Sequence, residues 1–89
     1  MRIEIEVELS EKAESTNRAE TRRFSRNVEM DLPAIGHEIE LNVDGEPVMV
    51  LVTDATRNAE DGLYHVRVEG QSLTVKALRE DERWTETIV

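Results

Sequence analysis

Three stretches of the chain alternate apolar and polar residues with a period of two, the signature of strands that bury one face. In residues 3 to 9, Ile3, Ile5, Val7 and Leu9 share one side while Glu4, Glu6 and Glu8 share the other. In residues 38 to 43, Ile39, Leu41 and Val43 alternate with Glu38, Glu40 and Asn42, and Asp44-Gly45 follows. That dipeptide accepts the positive backbone angles of a two-residue turn, so residues 37 to 53 are expected to form a β-hairpin around which the rest is organised. The returning run from Val48 to Val52 has no polar position, which predicts a strand covered on both faces. In residues 62 to 69, Tyr64, Val66 and Val68 oppose His65, Arg67 and Glu69.

Weaker patterns fill the intervals. Residues 22 to 30 place Phe24, Val28 and Met30 on one parity with Arg26 intruding, which suggests a bulge or a sheet edge. Residues 10 to 21 are polar and carry no helical stripe, so a mobile loop is expected there. The stretch from Leu32 to Gly36 reads as a turn into the hairpin, and 54 to 62 as a turn-rich connection. Leu73, Val75 and Ala77 alternate as a further strand. The final segment from Arg83 is expected to close the sheet beside the first strand, with Trp84 packed at the barrel's open end and its indole N–H hydrogen-bonded. Six to seven short strands in 89 residues define an all-β fold, a small antiparallel barrel or sandwich of SH3-like or OB-like type, in a single domain spanning 1–89.

Composition narrows the functions. A net charge of −9 disfavours phosphate backbones and anionic lipid, so direct nucleic-acid binding and membrane association are not expected. With no cysteine there is no disulfide framework and no thiolate metal site, and the charged N-terminus does not resemble a leader, so a cytoplasmic location is expected. His37 and His65 lack the spacing of metal ligands, none of the four serines lies in a nucleophile elbow, and no glycine-rich loop precedes a helix. No catalytic residues, metal or cofactor are therefore expected. If the chain were a small hydrolytic enzyme, His37, Glu38 and His65 would be the first groups to test.

Two groups of residues remain as candidates for binding. In residues 16 to 27, Arg18, Arg22, Arg23 and Arg26 stand against Glu20 alone and flank Phe24, and guanidinium forks of this kind grip carboxylate or phosphate. Glu4, Glu6 and Glu8 form a row of negative charge at intervals of about 6.6 to 6.8 Å, which a groove evolved for phosphates would feel. If the second strand pairs antiparallel with the first, however, cross-strand ion pairs account for both runs, and this reading is favoured. The expected function is a non-enzymatic protein-interaction module whose exposed edge strand binds another protein or its own copy. The alternative is an acidic mimic that occupies the nucleic-acid site of a partner.

Overall fold

In the computed structural model, which describes residues 1–12 and 19–88, the chain forms one six-stranded sheet curled into a half-barrel, with a single short helix among the described residues. The elements are β1 (Arg2–Lys12), β2 (Ala19–Glu29), β3 (Glu38–Val43), β4 (Glu46–Arg57), β5 (Tyr64–Val68), α1 (Val75–Glu80) and β6 (Thr85–Ile88). Their order across the sheet is β3-β4-β5-β1-β2-β6. The all-β, barrel-like class expected from the period-two patterns is what the chain adopts. Every ladder is antiparallel except that of β1 with β5, which is parallel.

Alternation explains the core. Ile3, Ile5 and Val7 from β1, Phe24 from β2, Leu41 and Val43 from β3, Val50 and Val52 from β4, and Val66 and Val68 from β5 all line the concave side, joined by Leu73, Leu78 and Trp84. Each fully buried side chain of this kind contributes about 1.5 to 3 kcal/mol. The hairpin forms as expected: Asp44 has φ +51° and Gly45 φ +81°, both positive as the two-residue turn requires.

Three sequence expectations are corrected and a fourth holds in part. The run from Val48 to Val52 is covered on one side only; Val50 and Val52 are buried whereas Met49 is 50% exposed, because a half-barrel leaves its convex face to solvent. The 73–77 alternation is not a strand. Thr74 caps α1, its Oγ1 accepting the N–H of Ala77 at 3.1 Å, while Leu73 and Leu78 occupy the positions of a hydrophobic staple and both enter the core. The closing strand lies beside β2 rather than β1, since both edges of β1 are already taken by β2 and β5. The edge expected at residues 22 to 30 holds for part of them: β6 covers Arg22 to Ser25, beyond that no ladder runs along this side of β2 among the described residues, and the outermost strands of the sheet are β3 and β6. The ladder of β1 with β2 runs on to Lys12 and Ala19, into the expected loop at 10–21; residues 13 to 18 of that loop, and Arg18 with them, lie outside the described residues.

Candidate interaction surface

The convex face carries the glutamate row of β1, matched by bases from both neighbouring strands. Arg23 from β2 places Nη2 2.7 Å from Glu8 and Nε 3.1 Å from Glu6; Arg67 from β5 lies 3.3 Å from Glu6. His65 has Nδ1 3.2 Å from Glu4 and Nε2 3.2 Å from Asp61. The hydrogen bond from Arg23 holds the Glu8 carboxyl below its ordinary value, and the same bond raises the guanidinium of Arg23. The Asp61 carboxyl is lowered as well, first by the N–H of Leu63 and then by His65. Two arginines and a histidine thus face the row; Arg23 alone of them comes from the arginine segment, so cross-strand pairing with β2 accounts for only part of the two runs.

The arginine segment does not form one patch. Period-two geometry sends Arg23 to the convex face while Arg22, Phe24 and Arg26 take the concave parity, opposite Leu9, Val7 and Ile5. Phe24 is fully buried and offers no stacking platform. Arg22 lies 3.8 Å from Glu86, and Arg79 donates to the same carboxylate at 2.7 Å; Arg79 is the main reason that the Glu86 carboxyl is lowered.

Arg26, the residue that interrupts the apolar parity of β2, bridges the two sides of the half-barrel. Its Nη1 donates to the carbonyl of Asn42 on β3 at 3.1 Å, and Arg83 Nη2 donates to the same oxygen at 3.0 Å. Arg83 is in turn fixed by Asp81, whose carboxylate is only 6% exposed. Oδ2 of Asp81 accepts from Arg83 Nη2 at 2.8 Å and from the N–H of Asp44 at 2.9 Å; Oδ1 accepts both Nε and the backbone N–H of Arg83 at 3.0 Å. These bonds, Arg83 foremost, hold the Asp81 carboxyl far below the usual carboxylate range despite its burial. Burial, together with Arg83 nearby, lowers the guanidinium of Arg26. The side of the half-barrel near the β3–β4 turn is therefore fastened by side chains where no backbone ladder runs.

Beyond that latch the edge of β3 is open. In an antiparallel hairpin, alternate residues bond to the partner strand and those between turn their N–H and C=O outward. Val43 and Glu46 flank the two-residue turn as its closing pair, and His37 O accepts from Val52 N at 2.8 Å; odd-numbered residues of β3 therefore face β4. The outward carbonyl of Asn42 agrees with this, as does Pro47 opposite it, which has no N–H to give. Glu38 and Glu40 consequently project both backbone groups from the free edge. On the side away from β4 no ladder or hydrogen bond engages either residue, and neither carboxylate has an ion pair, among the described residues. Leu51 and Met49 lie across the β3–β4 ladder from them on the convex face, and Ile35 is exposed in the preceding loop. From sequence Glu38 stood out only as a group to test for hydrolysis, and this edge was not singled out as a binding surface.

A shallow cleft of about 380 Å³ on the convex face gathers Glu6, Asp54, Thr56, Asn58, His65 and Arg67. Glu6 and Arg67 are paired there, and both ring nitrogens of His65 already meet carboxylates. His37 and Glu38 lie elsewhere, at the start of β3. No group of residues that could hold a metal ion occurs among the described residues, nor is any helix among them long and apolar enough to cross a membrane. Comparison with protein-family models, with curated proteins and with solved structures finds no match, so the functional reading rests on this geometry.

Proposed function

We propose that this protein is a non-enzymatic interaction module of the cytoplasm that takes up an extended segment of another protein as an added strand along β3. The observation that carries the reading is the row of outward backbone groups at Glu38 and Glu40, on the side of β3 that has no ladder among the described residues. Such groups bond a partner's main chain without first breaking any bond within the module. Edges of this kind are usually blunted by covering elements, charges or proline; among the described residues Arg26 and Arg83 cover Asn42, and Glu38 and Glu40 leave their backbone groups uncovered but charged. The rival in which Glu4, Glu6 and Glu8 imitate a nucleic-acid backbone has less support, because Arg23, Arg67 and His65 already answer that charge.

Glu40→Pro tests the reading. Proline removes the N–H of residue 40, which points away from β4 as that of Glu38 does, and leaves the β3–β4 ladder intact, so the variant is expected to keep its circular dichroism spectrum and nearly its unfolding midpoint. Affinity for the protein partner that the parent recovers from extract of its own cell should fall roughly ten-fold or more, since a buried main-chain hydrogen bond is lost and its acceptor stranded. A folded proline variant that holds the partner as tightly as the parent does would rule out strand addition at β3.

A further inference from the structure

We infer that the strand received along β3 is basic at alternate positions, with the pattern Lys/Arg–apolar–Lys/Arg, and belongs to a protein other than a second copy of this chain. The inference rests on the strand-addition reading above. Residues of an added strand directly opposite Glu38 and Glu40 project on the same face, with Cβ atoms about 4.5 to 5.5 Å away, where opposite charges attract and like charges repel. Those two carboxylates differ from the glutamates of β1: Glu4, Glu6 and Glu8 are answered by bases of the flanking strands, whereas Glu38 and Glu40 have no ionic partner among the described residues. A charge left unanswered beside an open ladder is complementary to a base on the incoming chain.

The position between them follows from the pleat. The residue opposite Ile39 turns to the concave side, where Ile39 is half-buried against the core, and an apolar side chain suits that surface. At Asn42 the pattern stops, because Arg26 and Arg83 already hold that carbonyl and would repel a third base. A second copy fits poorly: antiparallel pairing of β3 with itself about a two-fold axis through Ile39 sets Glu38 against Glu40 twice, between chains that each carry −9.

The test is a titration of the full chain, followed by backbone amide resonances, with three capped peptides: Thr-Lys-Val-Lys-Thr and its versions with serine or glutamate in place of lysine. The lysine peptide is expected to shift the amides of Glu38 and Glu40 and to weaken with salt, the serine peptide to bind the same amides about ten-fold less tightly, and the glutamate peptide not to bind. In the double variant Glu38→Lys and Glu40→Lys the preference should invert. Equal binding of all three peptides at Glu38 and Glu40 overturns the basic pattern and leaves strand addition standing. Lysine-peptide shifts that spread over β1 and survive the charge reversal overturn the pattern too, as general attraction to an acidic chain. If no peptide moves Glu38 or Glu40, both the pattern and strand addition fall. Light scattering that shows a dimer joined through β3 makes the occupant a second copy.

Discussion

Replacing Trp84 by alanine is expected to lower the free energy of unfolding by about 3 to 5 kcal/mol, the cost of emptying an aromatic site in a packed core. The ring is 6% exposed and shares the concave cluster with Leu73 and Leu78, so it ties the segment after α1 to the sheet. A chain of this length has only about 4 to 13 kcal/mol in all, and the alanine variant should be partly unfolded at 37 °C. The indole N–H was expected to find a partner, but Nε1 is buried with none among the described residues. A buried donor left unpaired carries a desolvation cost of about 1 to 3 kcal/mol, which Trp84→Phe removes while keeping most of the apolar contact. The phenylalanine variant should therefore retain most of the parent's stability. Denaturant unfolding of both variants decides: an alanine variant with the parent's midpoint would mean that the ring is not part of the core.

The second large effect belongs to Asp81. Asp81→Ala strips the acceptor from the backbone N–H of Asp44 and from three donors of Arg83, and frees the guanidinium that holds β3 at Asn42. Because Asp81 is buried while Arg83 is half exposed, the cost is that of stranding the Asp44 N–H and releasing Arg83, about 1 to 3 kcal/mol. The same carboxylate shapes the acid limb of stability. Its folded-state affinity for protons lies far below that of the unfolded chain, whose carboxyl titrates near about pH 3.9, so on acidification the unfolded state takes up the proton first. Its contribution is thus full above about pH 5 and is lost progressively as the pH falls below that. Glu8, Asp61 and Glu86 are lowered as well and add to the slope, but Asp81→Asn should flatten the acid limb more than neutralising any of those three. Unfolding midpoints from pH 7 to pH 3 that fall in parallel for the parent and the asparagine variant would show that the latch contributes little.

Much of the fold was legible because alternation reports which face of a strand is buried. Ile3, Ile5 and Val7 could be assigned to the core without knowing what lay across from them, and Asp44-Gly45 announced its turn through the two residues best able to take positive φ. Alternation says nothing about which strand lies beside which. The placement of β5 on the second edge of β1 depends on the crossover between β2 and β3, and with it went the position of β6 and the identity of the free edges. Arg26 illustrates the difficulty: an arginine on an apolar parity is a local anomaly until the curl of the sheet brings Asn42 within reach. The short helix was hidden by a coincidence of spacing. Leu73, Val75 and Ala77 alternate as a strand would, yet Thr74 followed by an apolar residue four positions on, at Leu78, is the capping and staple pattern of a helix start. The open edge was half legible, since the turn at Asp44-Gly45 already dictates that Glu38 and Glu40 face away from β4. That no other strand occupies the space beyond them is a property of the sheet order alone.

Hydrogen exchange of individual backbone amides in the isolated chain tests the central claim most directly, because it reads the open edge without a partner. The N–H groups of Ile39 and Leu41 face β4 and should exchange slowly, at rates set by opening of the hairpin, while those of Glu38 and Glu40 should exchange at nearly the rate of an unstructured peptide. Strong protection of Glu38 and Glu40, comparable to that of Ile39 and Leu41 in dilute monomeric protein, would contradict the account, since it would mean that the edge of β3 is already paired and has nothing to offer a partner strand.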